Sequence, residues 1–362
     1  MHISIIGAGP IGNYTAFLLA KQGHDVHIYE DHDVIGTPIQ CTGLMTISLN
    51  DIFVPAEEYM TNKVEVRDIV APNGKKVTMK SPEYLVHRTQ FDQHLANQAE
   101  SAGAKIHTNH RFIEIKDGKI ILKDTKTTKL KEVKTDILIG ADGANSTVAK
   151  ILNPKRQRKY CVGIQARVSG AFDPKQYTVY FDNNISPGFF AWIVPENEKT
   201  ARVGLKGTST NFDSFINKHG FEKIEMQAGP IPIYDTAYIT EKKDKRMKIY
   251  LVGDAATHVK ATTAGGIIPG LKAAQCLADA IKNNDSYKKR WKKAIGKDLW
   301  LHLKIRNALD KFTNDDWNKL IELLSQDKVK AVFEKHDREK PWKLMKALII
   351  EPRLLKFAKY VM

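Results

Sequence analysis

Hydrophobic positions change their spacing several times along this chain. Residues 2–6, HISII, form a short apolar run rich in β-branched side chains. Ile11, Tyr14, Thr15, Leu18 and Leu19 then recur at helical spacing over 10–22, and a second apolar run, DVHIYE, fills 25–30. Strand, Gly-rich turn, helix and strand are predicted in that order. Further strands are predicted at 64–70, 75–79 and 84–87, and a helix over 89–103 that closes at Gly103. The segments KIH, RFIEIK and KIILK predict a small β-meander ahead of a buried strand in TDILIGADG, 135–143.

From about 155 to 235 the apolar residues alternate instead, in YCVGIQARVSG, QYTVYFD, FFAWIVP and TARVGLKG. Period-2 alternation of this kind predicts an antiparallel sheet with one packed face. The short buried style returns in KIYLVGD, 248–254, followed by a Gly-rich link and a helix over about 268–283. The remaining residues are helical and basic, with Trp291, Trp300, Trp317 and Trp342 spread among them. The boundaries expected are 1–154 for a nucleotide-binding domain with inserted β-segments and 155–245 for an antiparallel-sheet substrate domain. A return to the first domain is expected over 246–285, then a basic helical region over 286–362.

The chain's 362 residues, 42% apolar and 27% charged, suffice for a real core in more than one domain. Met1 leads directly into a strand, so no targeting peptide and a cytoplasmic location are expected. No run reaches the roughly 18 apolar residues a membrane span needs. Cys41, Cys161 and Cys276 have no paired spacing, which suits a reducing compartment and leaves no metal expected. The net charge of +15 fits anionic lipid, phosphorylated substrate or nucleic acid equally. No nucleic-acid module accompanies it, so nucleic acid is not expected.

Gly7-Ala8-Gly9-Pro10-Ile11-Gly12 fits G-x-G-x-x-G and stands where the mechanism needs it, after a strand and at the start of a helix. The first glycine makes the tight turn, the second admits a pyrophosphate, and the third lets helix and strand pack closely. Glu30, ending the second strand, is placed to accept hydrogen bonds from ribose hydroxyls. A dinucleotide site is expected from these residues.

Two later segments resemble the p-hydroxybenzoate-hydroxylase-like flavoproteins: Gly140-Ala141-Asp142-Gly143 with Ser146, and Val252-Gly253-Asp254-Ala255-Ala256. The resemblance implies FAD, with Asp254 on the ribityl chain and Gly265, Gly266 and Ile267 opening a helix towards the pyrophosphate or the flavin. It also places Arg88 and Phe112 at the same cofactor. Gly36-Thr37-Pro38-Ile39-Gln40-Cys41-Thr42-Gly43-Leu44 resembles the G-x-P-x-x-C-x-G loop of the geranylgeranyl reductase family, which implies that Cys41, Thr42 and Leu44 lie near the flavin. That family carries P-x-x-Y-x-W-x-F-P along an isoprenoid cavity. Here Pro187, Trp192 and Pro195 match, while Phe190 replaces Tyr and Val194 replaces Phe. The implied fold class is α/β, α+β overall: a Rossmann-type FAD-binding domain interrupted by an antiparallel-sheet substrate domain, with a helical C-terminal tail.

The resemblance implies an FAD-dependent reductase that saturates C=C bonds of geranylgeranyl chains in isoprenoid ether glycerophospholipids or their precursors. A prenyl chain offers only methyl and methylene surface, so burial must recognise it, at about 25 cal/mol per Å². Residues 187–195 are either the cavity wall that does this or plain sheet core. Cys41 either supplies a proton or tunes the flavin, or packs beneath it as a small loop residue. His258 and Lys260 are equally read as residues of a surface loop, and Cys161 and Cys276 as core. The sequence holds no cysteine cluster and no second Rossmann motif, so an external electron donor, ferredoxin or a small reduced carrier, is expected. The segments 288–306 and 340–362 interleave Lys and Arg with Trp, Leu, Ile and Phe. They read as an anionic-membrane contact or as caps on the catalytic domain. A monooxygenase or halogenase of the same fold is the alternative, since Trp192-Ile193-Val194-Pro195 half resembles a halogenase W-x-W-x-I-P. A flavin-binding protein without turnover is a third reading.

Overall fold

The computed structural model of the chain describes residues 1–39, 41–243 and 247–360. The chain forms two compact units of interleaved sequence. The first comprises Met1–Ile39, Arg88–Tyr160 and Ile231–Leu299, and the second Gln40–His87, Cys161–Pro230 and Trp300–Met362. The units depart from the expected boundaries, and residues 155–160 and 231–243 lie with the first unit. Strands between residues 44 and 86 belong to the second unit because they hydrogen-bond into its sheet, and residues 286–299 stay with the first. The boundary expected between 245 and 246 lies outside the described residues.

The first unit is built on a six-stranded sheet in the order Glu241–Lys243, Lys248–Leu251, Ile137–Gly140, His2–Ile6, Asp25–Tyr29, Lys105–His107. The five strands from Lys248–Leu251 onward run parallel; Glu241–Lys243 pairs antiparallel at one edge. Ile3, Ile5, Val26, Ile28, Leu138 and Ile139 are fully buried, as a sheet covered on both faces requires. Lys105–His107 extends this sheet and is not part of the meander assigned to it from sequence. Only its short apolar pattern was visible, and pairing with His27, Ile28 and Tyr29 decided its place. The meander is made instead by His110–Lys116, Lys119–Asp124 and Leu130–Lys134. Helices Pro10–Lys21, Arg88–Ser101 and Ile267–Asn283 belong to this unit and carry apolar stripes of buried residues.

The second unit is an eight-stranded sheet: Glu222–Pro232, Tyr160–Ser169, Thr200–Lys206, Ala191–Pro195, Gln176–Tyr180, Met60–Val70, Lys76–Val86, Leu44–Thr46. It is mixed, not purely antiparallel, because Gln176–Tyr180 runs parallel to Met60–Val70. The two strands expected at 75–79 and 84–87 are one strand, Lys76–Val86; Pro82 is tolerated within it. Along Ala191–Pro195 the two side-chain faces go to two apolar clusters. Ala191 and Ile193 join Val203, Leu205 and Phe212, while Val194 joins Val64, Val77, Met79 and Leu85.

The C-terminal residues complete the second cluster. Trp317, Ile321, Leu324, Val329, Val332, Leu354 and Phe357 are buried in it. Arg338 pairs with buried Glu83, which also accepts from Tyr177 Oη at 2.6 Å. Residues 313–360 therefore cap this unit, as one of the two sequence readings held. The other reading also keeps a basis. Trp342, Met345, Ile349, Ile350 and Leu355 stay exposed among Lys340, Lys343, Lys346, Arg353, Lys356 and Lys359. No helix of the described residues is long and apolar enough to cross a membrane.

Candidate functional site

In the first unit the sequence motifs meet at one edge of the parallel sheet. Register aligns Ile6 with Tyr29 and with Gly140, and Gly140 with Leu251. The Gly-rich turn, Glu30, the Asp142 turn and the Asp254 turn thus leave the carboxyl ends of four neighbouring strands at one level. The chain order reverses at His2–Ile6, whose neighbours are Asp25–Tyr29 and Ile137–Gly140. A crevice for a dinucleotide is expected at such a switch point.

The three glycines of the turn have different duties. A Cβ on Gly12 would lie 2.0 Å from the Gly7 carbonyl oxygen, and one on Gly7, at φ +100°, would lie 2.5 Å from that of Ala141. A Cβ on Gly9 would meet nothing within 4 Å. The turn is sealed against its own backbone at two points and open at the third, in front of helix Pro10–Lys21. That helix has no side-chain cap at Gly9, so its first N–H groups are available to an anion. Glu30, 9% exposed, accepts from the Ala8 N–H at 2.8 Å and from the His32 N–H at 3.0 Å. Its carboxylate fixes the turn and retains lone pairs for hydroxyl donors. Asn13 donates to the carbonyls of Ala8 and Asp92, tying the turn to helix Arg88–Ser101.

Asp254 lies half-buried beside the start of the next helix; its Oδ1 is 2.5 Å from where a Gly266 Cβ would stand. Burial pushes its carboxyl above the ordinary range, opposed by Arg88 and Arg158 nearby. Helix Ile267–Asn283, capped by Gly266, again lacks a side-chain cap, and Gly265 bridges back to Lys260. Arg88 holds Asp92 through Nε and Nη2 at 3.1 and 3.0 Å. Gly7, Gly9, Gly12, Glu30, Arg88, Asp254, Gly265, Gly266 and Ile267 all belong to this one unit, as does Gly253, at φ +64°. Asp142 belongs there too, but its carboxylate is engaged by Ser146 Oγ at 2.5 Å and by the N–H groups of Thr147 and Val148. It shapes the turn by capping a short helix. Phe112 is buried in the core with Tyr29, Ile120 and Leu122, so its ring is spent on packing.

Sequence reading overlooked Arg158. Its guanidinium donates to the carbonyls of Ala144 and Ala255 and, at 3.0 Å, to Tyr238 Oη, binding the Asp142 turn to the Asp254 turn. The only clue was the basic run 155–159. His258 and Lys260 are not on a surface loop as one reading had them. Both are buried, and the His258 ring lies tilted 4.6 Å from the Trp291 ring, which has folded inward from the basic tail. Burial lowers its pKa to about 3. Cys276 and Cys161 are half-buried rather than full core, and burial raises the thiol of Cys276 to about 11.

In the second unit one side chain joins the two family-specific segments. Gln165 Oε1 accepts from Thr42 Oγ1 at 2.7 Å and from Trp192 Nε1 at 3.4 Å, and its amide donates to Gln227 at 2.5 Å. Trp192 lies across Gly204, where a Cβ would stand 2.4 Å from the indole. Arg202, paired with buried Glu196 at 2.8 Å, also donates to the carbonyls of Thr42 and Val86. Gly43, at φ +77°, turns the loop closely over Val86. Cys41 Sγ accepts from the Gly43 N–H at 3.3 Å, and Leu44 opens the first strand after the loop. Phe189 stacks on Phe190 at 4.3 Å, and Phe190 meets Trp192 edge-on at 6.0 Å. Phe190 and Trp192 are half-buried at the margin of the cluster that encloses Val194; Pro187 is exposed and Pro195 buried. Gln165, Arg202 and Gly204 carried no motif in the sequence and were not singled out.

The open glycine, two uncapped helix starts and the Asp254 carboxylate fit a dinucleotide with a polyhydroxylated chain, the cradle of an FAD-dependent flavoprotein. Residues 5–42 match the NAD(P)-binding Rossmann-like domain and residues 55–283 the FAD binding domain. The digeranylgeranylglycerophospholipid reductase of Methanocaldococcus jannaschii is 30% identical over 361 residues, 90% of each chain. The fold resembles that of a geranylgeranyl bacteriochlorophyll reductase-like protein from Thermoplasma acidophilum, with a TM-score of 0.80 at 23% identity over 100% of this chain and 99% of that one. It also resembles a flavin-dependent brominase, at 0.70 and 14% over 99% of both. The chain belongs to the geranylgeranyl reductase family of FAD-dependent oxidoreductases.

Proposed function

We propose that this chain saturates C=C bonds in the geranylgeranyl chains of isoprenoid ether glycerophospholipids or their precursors. The observation that carries the reading is the Gln165 bridge, which holds the Cys41–Leu44 loop and the Trp192 strand as one assembly. FAD, when bound in this cradle and reduced, would supply the hydride.

This chain's own residues must bury and orient the alkene and deliver a proton. Phe190 and Trp192 offer broad apolar faces with little rotamer entropy to lose, and Gly204 lets the indole lie flat. The Thr42–Gln165 bond fixes the loop that carries Cys41. Cys41 is assigned as proton donor or flavin-tuning residue; wild-type turnover in both Cys41→Ala and Cys41→Ser would remove it from the chemistry. Electrons are assigned to an external donor, ferredoxin or a small reduced carrier. The exposed apolar residues between Trp342 and Leu355 with their flanking lysines support a peripheral contact with anionic membrane. Flotation with anionic liposomes at low salt tests that contact.

The function itself is tested by anaerobic incubation of the reduced protein with a geranylgeranyl glycerophospholipid, followed by mass spectrometry. A gain of two hydrogens per double bond is expected. Product formed only when oxygen is admitted would favour the halogenase or monooxygenase reading instead.

A further inference from the structure

The second unit holds a cation that its own structure leaves under-partnered. Arg306 lies on helix Lys297–Leu309 and is 5% exposed. Its Nε stands 3.0 Å from Asp310 Oδ1, but its buried Nη2 has no hydrogen-bond partner among the described residues. Asp310 is itself half in solvent, with 45% of its side chain exposed, so it compensates the guanidinium only partly. Leaving a donor of a buried charge unmet is expensive, and native structures seldom do so without a ligand or ion to meet it.

The position of the guanidinium narrows what that ligand is. It lies over the Phe189 ring, 5.3 Å from its centroid. Phe189 stacks on Phe190, and Phe190 meets Trp192. A charged fork therefore stands at one end of an aromatic row whose other end is the indole. An amphiphile with an anionic head and an apolar chain matches that sequence of surfaces. Asp310 is brought close by Gly188, at φ +64°, where a Cβ would lie 3.0 Å from its Oδ1. Burial raises the Cys161 thiol pKa, with Lys206 and Arg306 drawing it down and Asp310 adding to the rise, so this thiol lies within the field of the Arg306 pair.

We infer that Arg306 is the recognition point for a phosphate-type oxyanion at the end of the Phe189–Phe190–Trp192 row. Under the reductase reading, on which this assignment of the source rests, the oxyanion is the phosphate of the prenyl substrate; free phosphate shares the same chemistry. A planar fork with Asp310 beside its Nε presents its Nη2 N–H groups for a charge-assisted bond to phosphate oxygens.

The test uses the full FAD-loaded chain and compares calorimetric binding of geranylgeranyl phosphate, geranylgeraniol and inorganic phosphate. Wild type should bind the prenyl phosphate about 10- to 100-fold more tightly than the alcohol, the range a charged hydrogen bond gives. Arg306→Met should remove that preference and leave alcohol binding unchanged, and Arg306→Lys should restore part of it. Inorganic phosphate that binds wild type but not Arg306→Met, with no preference between the two lipids, would support the oxyanion site with free phosphate as its occupant. A preference that survives in Arg306→Met overturns the inference. Should that variant misfold by thermal melting, protection decides the question in wild type: geranylgeranyl phosphate, but not the alcohol, should slow alkylation of Cys161 as mapped by mass spectrometry. Equal alkylation with both ligands overturns it. If wild type discriminates between the lipids yet reduces neither, the reductase reading falls and the anion site stands. If it reduces both lipids, discriminates between neither and leaves inorganic phosphate unbound, the anion site falls and the reductase reading stands.

Discussion

Replacing Gln165 by leucine removes a side chain that binds the Cys41–Leu44 loop to the Trp192 strand while keeping the volume nearly constant. Two well-formed hydrogen bonds are lost, to Thr42 at 2.7 Å and to Gln227 at 2.5 Å, and a long one to Trp192 at 3.4 Å. At about 1 kcal/mol net for each good bond, the assembly loses about 2 kcal/mol of ordering. If that order is what aligns the alkene, the loss falls on the transition state, and kcat/KM should drop about 30-fold. FAD affinity should not change, because the cradle of Gly7, Glu30 and Asp254 makes no use of Gln165. Gln165→Glu keeps the acceptor for Thr42 and Trp192 and should recover most of the rate. The assay is steady-state reduction of a geranylgeranyl lipid with a chemical reductant, alongside flavin-fluorescence titration. Full activity in Gln165→Leu, or flavin lost in step with activity, would refute the reasoning.

Gly12→Ala would place a methyl 2.0 Å from the Gly7 carbonyl oxygen with only backbone to give way, so FAD affinity should fall by at least about 100-fold when titrated onto the apoprotein. His258 has a folded pKa of about 3 against an ordinary 6.5, so the unfolded chain takes up its proton first as pH falls. Its contribution to stability is complete above pH 6.5 and is lost towards pH 3, at about 1.4 kcal/mol per pH unit. Denaturant titrations across that window should show a shallower slope in His258→Phe than in wild type; equal slopes would count against a buried neutral imidazole. Arg338→Met should destabilise the protein by about 3–5 kcal/mol by leaving the Glu83 carboxylate buried without its cation, measured by urea unfolding, and Glu83→Gln in the same chain should recover part of the loss.

Local pattern made much of this molecule legible. The Gly7–Gly12 turn, Glu30, the Asp254 turn and the helix after Gly266 could be read because short buried strands and glycine spacing report on their immediate surroundings. What pattern could not report was pairing across long stretches of chain. Lys105–His107 looks like one more meander strand until its partner, Asp25–Tyr29, is known. Residues 44–86 sit between two nucleotide-binding segments in sequence, yet ladder bonds with Gln176–Tyr180 fix them in the other unit. Gln165, Arg158 and Arg306 act through contacts that include Trp192, Ala255 and Phe189, far from them in the chain, and no motif marks them. The tail was ambiguous because an apolar helix face looks the same whether it meets protein or lipid. Trp291 and Trp317 met protein, whereas Trp342 stayed exposed.

The central claim is that hydride from FAD held by this chain reaches an isolated prenyl double bond. The direct measurement is an anaerobic single turnover in which the reduced, colourless holoprotein is mixed with a digeranylgeranyl lipid and followed by absorbance. The account predicts that the yellow oxidised flavin returns in step with saturation of the lipid. Flavin that stays bleached until air is admitted, with the lipid unchanged, would contradict it.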